Sequence, residues 1–217
     1  MALASGGIWR SLDLPLQLAF QQAWEAFQSG SIGVGAVASA PDGSVVVVGR
    51  NRVGETDAPP GQLAGTSLAH AEMNVIAQLP FRHPRELVLT TTLQPCLQCA
   101  AAIRMAPVAL VRYAGSDLLW DGCGDFSALS PWLRRRPAVP TEGPSGGEIG
   151  LFATMVARFG PGLIPAVEDG LRQVGEGALL DLVHELESDG WCERARSEAV
   201  QWALDDVWPA LQQLARQ

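Results

Sequence analysis

The order of helical and β-rich segments along the first 115 residues constrains the fold of this chain most strongly. Apolar residues recur every three or four positions across 11–30, which is the period of an amphipathic helix. Two β-rich runs, 32–39 and 45–51, come next and are joined by Pro-Asp-Gly-Ser, so we expect a β-hairpin. The loop that follows, 52–66, is long enough to carry functional residues.

The next elements alternate between helix and strand. They are, in order, a helix to about residue 79 that Thr66 or Ser67 can cap, a strand at 86–92, a helix opened by Pro95 that runs to about residue 105, and a strand at 109–115. Strands separated by single helices imply parallel neighbours with right-handed crossovers. The sequence therefore predicts an α/β fold with a mixed sheet and helices packed on it.

The chain changes character after residue 137. Proline and glycine are concentrated at 140–147, and no strand-like run follows them. Apolar stripes of helical period occur at 179–186 and 200–214. We therefore expect one domain over 1–137 and, over 138–217, a linker and an acidic helical extension that packs most simply on that domain.

The distribution of charge limits the partners of the chain. Residues 1–137 contain 10 Arg and 10 acidic residues, whereas 138–217 contain 5 Arg and 13 acidic residues, so the net charge of −8 lies in the last third. Lysine is absent and the only basic run is Arg134-Arg135-Arg136, so we do not expect nucleic acid as a partner. We find neither an apolar run long enough for a membrane span nor a secretory signal, and we expect a cytoplasmic protein without a membrane partner.

The cysteines fall into one spaced pair and two isolated residues. Cys96 and Cys99 form C-x-x-C, which in a chain without an export signal indicates a metal or redox site rather than a disulfide. Cys123 and Cys192 are expected to be small buried hydrophobic residues.

A metal site is predicted where two helices begin. Zinc favours thiolate and imidazole ligands in a tetrahedron and, in a catalytic site, keeps the fourth position for water, so we predict His70, Cys96 and Cys99 as ligands. Cysteines three apart in a first helical turn lie on one face, where free amide hydrogens favour thiolates. His70 and Glu72 can both face the metal only if their helix begins at about these residues. A structural zinc ribbon is the alternative, but the second cysteine pair that it needs is absent.

The sequence resembles the cytidine deaminase superfamily, in particular its tRNA adenosine deaminase and guanine deaminase branch, from about residue 32 to 115. Four segments carry the resemblance: Gly33-Val34-Gly35-Ala36-Val37, Gly49-Arg50-Asn51-Arg52, His70-Ala71-Glu72-Met73-Asn74 and Thr92-Leu93-Gln94-Pro95-Cys96-Leu97-Gln98-Cys99-Ala100. The resemblance implies a three-layer α/β/α fold with Zn²⁺ as cofactor and a homodimer or larger assembly. It makes 1–137 a zinc-dependent deaminase domain.

The resemblance also implies a mechanism in which water is a co-substrate. Zn²⁺ lowers the pKa of a bound water far below its bulk value, towards about 7. Glu72 is the expected catalytic residue: it would accept a proton from the water, deliver it to a ring nitrogen and later protonate the amine, which leaves as ammonia.

Substrate-binding residues follow from the same resemblance. Asn51 would hold the base or its sugar, the backbone of Ala71 would meet a ring substituent, and Asp117 and Trp120 would approach the ring. Asn51 could instead stabilise its own turn, and Trp120 could be a core or interface aromatic. Gln94 stands where the branch usually has Glu, which bears on local hydrogen bonding and on substrate choice.

Three functions remain open at this point. The leading one is deamination of a free nucleobase, nucleoside or related small aminated heterocycle, including a pterin or riboflavin precursor. A tRNA-editing adenosine deaminase is favoured by the Gly-Arg-Asn-Arg segment but opposed by the charge distribution. A deaminase fold that has lost catalysis and serves as a binding module is opposed by the intact set of His70, Glu72, Cys96 and Cys99.

Overall fold

A computed structural model describes residues 5–80, 85–135 and 138–216. Within these ranges a single mixed sheet forms the centre of the molecule. Its strands are β1 (Gly35–Ser39), β2 (Val45–Arg50), β3 (Leu87–Leu93), β4 (Val108–Gly115) and β5 (Thr141–Glu142). The strand order is β2-β1-β3-β4-β5. β1 is antiparallel to both β2 and β3, while β3–β4 and β4–β5 are parallel.

Helices cover both faces of this sheet. They are α1 (Ser5–Ser11), α2 (Leu14–Gln28), α3 (Ala71–Ile76), α4 (Leu97–Met105), α5 (Pro131–Arg134), α6 (Gly147–Arg158), α7 (Pro165–Gln173), α8 (Gly177–Ser188), α9 (Trp191–Ala195) and α10 (Val200–Leu214). α3 and α4 pack on one face of the sheet, and α2 and α6 pack on the other. The predicted fold class, a three-layer α/β/α cytidine deaminase-like fold with a mixed sheet and a helical C-terminal extension, is confirmed.

The hairpin of β1 and β2 forms where the turn residues predict it. Asp42 Oδ1 accepts a hydrogen bond from Ser44 N at 2.9 Å, and Gly43 adopts a φ of +86° that favours glycine. All five residues of β1 are buried because helices cover both of its faces. The crossover from β3 through α4 to β4 gives the parallel pair that was expected.

The C-terminal helices form part of the main core. α6 lies close to β4: a Cβ placed on Gly115 would be 2.5 Å from Thr154 Oγ1 and 2.8 Å from Thr154 N. α8, α9 and α10 share one apolar cluster with α1, α2 and α6. Trp24 on α2 also donates a hydrogen bond from Nε1 to Glu198 O at 2.8 Å. Residues 138–216 therefore pack against the N-terminal helices as well as against the sheet.

The short strand β5 was not expected after residue 137, and it lies beside β4 through pairs of Thr141 with Val111 and Glu142 with Arg112. The predicted domain boundary and Arg136 fall on 136–137, outside the described residues, so the division of the chain at 137 stays a prediction. None of the helices in the described part of the chain has the length and apolar character that a membrane span requires.

The start of α3 differs from its prediction. Thr66 or Ser67 was expected to cap this helix, but its N-cap is His70. Thr66 closes a tight turn instead, because its Oγ1 accepts a hydrogen bond from Leu68 N at 3.4 Å. The helix thus begins at the position that the predicted metal site required.

The start of α4 shows a similar difference of one or two residues. Pro95 was expected in the first turn of this helix, but it lies outside the helix, and Cys96 is the N-cap. Cys99 then occupies the first turn. Both predicted cysteine ligands still lie at the helix N-terminus.

Candidate metal centre and its cavity

The three predicted ligands converge on one point. His70 Nδ1 lies 3.5 Å from Cys96 Sγ and 3.5 Å from Cys99 Sγ, and one ligand atom from each residue lies within 4.8 Å of the others. His70 caps α3 and Cys96 caps α4, so the two helix N-termini that pack side by side present these groups. The sequence prediction that these residues lie together agrees with this arrangement.

The donor set fits a zinc ion. Two ligand atoms about 2.0 and about 2.3 Å from one cation, separated by a tetrahedral angle, lie about 3.5 Å apart. This separation matches the nitrogen–sulfur distances of 3.5 Å between His70 and the two cysteines. Two thiolates and an imidazole are also the ligand types that zinc prefers.

The thiols and the imidazole are electrostatically coupled. The pKa of Cys96 falls to about 4, chiefly because it accepts a hydrogen bond from the Cys99 thiol and also because His70 lies beside it. The same hydrogen bond, together with burial, raises the pKa of Cys99. Hydrogen bonding to Cys96 raises the pKa of His70. Cys96 is therefore the cysteine of the pair that ionises more readily.

Glu72 lies beside this group in the first turn of α3. The residue is only 3% exposed, and burial raises the pKa of its carboxyl group. Its Oε2 lies 3.4 Å from Cys99 Sγ, and its Oε1 accepts a hydrogen bond from Thr91 Oγ1 at 3.3 Å. The carboxyl group is therefore oriented by two neighbours and lies next to the metal ligands.

A cavity of about 180 Å³ opens over the metal ligands. It is smaller than the range of about 300–1,000 Å³ that is typical of sites for drug-sized ligands. Its walls bring together most of the residues predicted from sequence: Asn51, His70, Glu72, Cys96, Asp117 and Trp120, with Gln94. Ala71 is fully buried at the start of α3 and is not among the lining residues.

Asn51 combines a structural contact with a free group. Its Oδ1 accepts a hydrogen bond from Val53 N at 3.1 Å, which is the turn contact considered as its alternative role. Its Nδ2 donates to no atom within the described ranges, although the residue is only 2% exposed and lines the cavity. The amide can therefore stabilise the loop and still offer a donor to a ligand.

Asn74, from the same motif as His70, organises the neighbouring loop. Its Nδ2 donates to Arg50 O at 2.9 Å and to Leu63 O at 3.1 Å, and its Oδ1 accepts from Leu63 N at 2.7 Å. The loop of residues 51–70 is thus tied to α3 on the side that presents Asn51.

Gln94 holds the loop after β4. Its Oε1 accepts a hydrogen bond from Asp117 N at 3.2 Å, and its backbone N–H donates to Gly115 O at 2.9 Å. A glutamate at this position could accept the same hydrogen bond but would add a negative charge near Asp117. Trp120, in the same loop, is 38% exposed and stands at the rim, so it is not a core residue.

The opposite wall contains residues that the sequence did not reveal. Ala157 and Arg158 of α6, Gly162 and Leu163 of the following loop, and Val167 of α7 complete the cavity. Arg158 is 6% exposed, and its Nη2 lies 3.3 Å from Asp117 Oδ1. The signal that could have revealed it is its isolation: Arg158 is the single charged residue between positions 149 and 164.

Residues 11–114 match the model of the cytidine and deoxycytidylate deaminase zinc-binding region. These residues therefore form a domain of the cytidine and deoxycytidylate deaminase type. This deaminase domain contains the metal ligands, Glu72 and Asn51, whereas Asp117, Trp120 and the opposite wall lie beyond the matched residues.

The proteins that this chain resembles are named for different substrates. A tRNA-specific adenosine deaminase 2 from Xenopus tropicalis is 34% identical over 116 residues, 49% of this chain and 63% of that protein. A solved structure from a study of A-to-I editing by tRNA:A34 deaminases is 30% identical, with a TM-score of 0.47, and 59% of this chain covers 96% of it. A guanine deaminase structure from Bacillus subtilis is 21% identical, with a TM-score of 0.40, over 73% of this chain and 90% of its own. The chain spans between about half and two thirds of the length of the curated relatives it matches.

Proposed function

We propose that this chain is a zinc-dependent hydrolase that deaminates a free nucleobase, a nucleoside or a related small aminated heterocycle. Water is the co-substrate, the exocyclic amine leaves as ammonia, and a carbonyl takes its place. The observation that carries the proposal is that His70, Cys96 and Cys99 converge beside Glu72, next to one small cavity that His70, Cys96 and Glu72 line.

Each residue has a distinct role in this proposal. His70, Cys96 and Cys99 hold Zn²⁺, which supplies Lewis-acid activation of a water molecule. Glu72 would take one proton from that water and transfer it to a ring nitrogen, and would then carry the remaining hydroxyl proton to the amine, which leaves as ammonia while the carbonyl forms. Thr91 and Cys99 orient the Glu72 carboxyl group, and its buried position favours the protonated form that the second half of the reaction requires.

Substrate contacts are proposed for the residues around the ring. Asn51 offers its free amide N–H to the base or sugar, and Asp117 faces the ring from the loop after β4. The backbone of Ala71 meets a ring substituent, and Trp120 covers the rim of the cavity. These roles make the cavity selective for planar rings with polar edges.

Two observations favour a small molecule over tRNA. The C-terminal segment closes one side of the cavity, which leaves a volume of about 180 Å³. The arginines of the Gly-Arg-Asn-Arg segment are engaged within the chain: Arg50 pairs with Glu25 at 2.8 Å and Glu55 at 2.9 Å, and Arg52 pairs with Glu55. Phosphate binding at this segment would have to break these ion pairs.

A tRNA-editing adenosine deaminase is the second candidate, because the curated relatives include tRNA-specific adenosine deaminases. Arg134 and Arg135 are exposed and could contact a phosphate backbone. The two candidates differ in salt dependence, because each phosphate contact on a single-stranded RNA adds about −0.7 to the slope of log K against log salt.

An ammonia-release screen decides between the candidates. The zinc-loaded protein is assayed with purines, pyrimidines, their nucleosides and a tRNA pool, with inosine in the tRNA measured in parallel. We expect ammonia from a free base or nucleoside and no salt-sensitive tRNA complex. Inosine formation in tRNA would reverse this preference, and no turnover of any substrate would favour the inactive binding module.

Assembly and location complete the proposal. A homodimer would cover the exposed apolar side chains of α4, Leu97 and Met105, which are 48% and 66% exposed. The protein would act in the cytoplasm, where the thiols of Cys96 and Cys99 stay reduced and available to zinc. Light scattering measures the mass in solution. The wild type should have the mass of a dimer, and the double variant Leu97→Lys with Met105→Lys should have the mass of a monomer.

A further inference from the structure

The wall opposite the metal ligands contains a buried cluster of one cation and two carboxyl groups. Arg158 on α6 donates from Nε to Glu176 Oε2 at 2.9 Å and from Nη2 to Glu176 Oε1 at 2.9 Å. The same Nη2 donates to Asp117 Oδ1 at 3.3 Å. All three residues are at least nine-tenths buried. Glu176 is the N-cap of α8, so the cluster joins the C-terminal helices to the loop after β4.

One group of this arginine is not used by the cluster. A guanidinium has five N–H donors in a planar fork, and Nε and Nη2 account for the contacts with Glu176 and Asp117. Nη1 meets no acceptor within the described ranges 5–80, 85–135 and 138–216. Nη1 is not among the fully enclosed atoms without a partner in the described residues, and Arg158 lines the cavity, so this group can donate to a ligand that supplies an acceptor.

The geometry of the fork fixes where that acceptor would lie. Nη1 and Nη2 form the end of the guanidinium, and Nη2 contacts Asp117. An atom that accepts from Nη1 therefore lies next to the Asp117 carboxyl group. This pair offers a donor beside an acceptor, which is complementary to a ring carbonyl beside a ring N–H.

The charges around the cavity exclude an anionic partner for this pair. Asp117 and Glu176 outnumber the single cation of Arg158, and Glu72 lies in the same cavity. A phosphate or carboxylate on the substrate would face these acidic groups at close range. A neutral oxygen is therefore the acceptor that this wall accommodates.

We propose that Arg158, held by Glu176, is a specificity-determining residue that donates a hydrogen bond from Nη1 to a ring carbonyl of the substrate, while Asp117 accepts from the adjacent ring N–H. This inference rests on the proposed deaminase function and narrows its substrate to heterocycles that carry both an amine and a lactam edge. Glu176 is a positioning residue, because it contacts the guanidinium and does not line the metal cavity.

Matched bases that differ by one ring carbonyl test this role. The pairs are guanine with 2-aminopurine, isoguanine with adenine, and cytosine with 4-aminopyrimidine, and kcat/KM is measured for each. For the pair that is turned over, we expect the wild type to prefer the member with the carbonyl by roughly 10- to 100-fold, the effect of a hydrogen bond from a charged donor. Arg158→Gln should reduce this ratio to near one.

Variants and a binding measurement separate recognition from folding. Arg158→Gln alone leaves the buried carboxylate of Glu176 without its cation, which can prevent folding. The double variant Arg158→Gln with Glu176→Gln removes one charge of each sign, so it should fold even if the single variant does not. Arg172→Gln, on the partly exposed surface of α7, is the matched control and should keep the wild-type ratio. A binding measurement avoids turnover: the matched bases are titrated calorimetrically into Glu72→Gln and into Glu72→Gln with Arg158→Gln. The first protein should bind the base with the ring carbonyl more tightly, and the second should have nearly equal Kd values for both bases.

The possible outcomes are distinct. A folded Arg158→Gln protein, single or double, that keeps the wild-type ratio would show that Arg158 only joins helices, and a wild-type preference for the member without the carbonyl would also overturn its role. If the wild type released no ammonia from these bases or their nucleosides, the proposed function itself would fail and this role with it.

Discussion

The two walls of the cavity differ in how far apart their residues lie along the sequence. The metal wall comes from local motifs, in which His70 and Glu72 are two residues apart and Cys96 and Cys99 are three apart at helix starts. The opposite wall depends on Arg158, which reaches Asp117 across 41 positions and Glu176 across 18. We infer that the metal wall performs the chemistry of the proposed deamination and that the opposite wall, formed by contacts between distant residues, selects its substrate.

Loss of a metal ligand should have the largest effect. Cys99→Ala removes a buried thiol that contacts both His70 and Glu72, so we expect loss of bound zinc, activity reduced to background, and a lower melting temperature. Metal content by atomic emission and thermal unfolding give the measurements. Cys192→Ala, in α9 and remote from the metal, should keep the zinc and the activity. Full zinc content in Cys99→Ala would remove that cysteine from the ligand set.

Removal of the carboxyl group next to the metal should come second. Glu72→Gln keeps the size of the side chain but cannot move protons, so we expect kcat to fall by roughly 10²- to 10⁴-fold with zinc retained. Steady-state kinetics on the substrate found in the screen provide the test, with exposed Glu193→Gln as control. An active Glu72→Gln enzyme would contradict its role in proton transfer for every substrate.

A smaller effect is expected at Asn51, on the edge of the metal wall. Asn51→Ala removes one neutral donor from the cavity, worth about 1 kcal/mol, so KM should rise roughly fivefold with little change in kcat. The change should be similar for both members of each matched base pair, unlike the change in Arg158→Gln. If Asn51→Ala raised KM for only one member of a matched base pair, Asn51 would take part in substrate selection as Arg158 does. That result would contradict the proposed difference between the two walls.

The smallest expected effect concerns stability and pH. Burial raises the pKa of Asp117, and the charge of Arg158 opposes that increase only in part, with Glu176 as the other charged neighbour. A carboxyl group with a raised folded-state pKa binds more protons when folded, so its contribution to stability declines as pH rises through that pKa. Urea unfolding should therefore show the wild type gaining stability relative to Asp117→Asn as the pH falls from neutral towards 4. A parallel pH profile for the two proteins would contradict this view of the cluster.

The sequence was informative where structure depends on neighbours along the chain. The amphipathic period of α2, the turn between β1 and β2, and the cysteine spacing at α4 are local, and each lies close to its predicted position. α6 was not predicted, because it is apolar on nearly all sides and follows a segment rich in proline and glycine. Its position on β4 depends on Gly115, where the absence of a side chain permits the close approach to Thr154.

In the candidate site, too, the residues that belong to local motifs could be predicted, and those that depend on long-range packing could not. The ligands and Glu72 followed from motif spacing, and Asn51, Asp117 and Trp120 followed from the resemblance; all of them line the cavity except the buried Cys99. The pairing of Arg158 with Glu176 depends on how α6 and α8 pack, which no local pattern reports. The function of Gln94 likewise became clear only once its contact with Asp117 was visible.

The most direct measurement is X-ray absorption at the zinc edge of the purified protein. We expect one zinc per chain with two sulfur atoms at about 2.3 Å and two light atoms at about 2.0 Å, one from imidazole and one from solvent. A shell of three or four sulfur atoms, or a protein that binds no zinc, would contradict a catalytic centre formed by His70, Cys96 and Cys99.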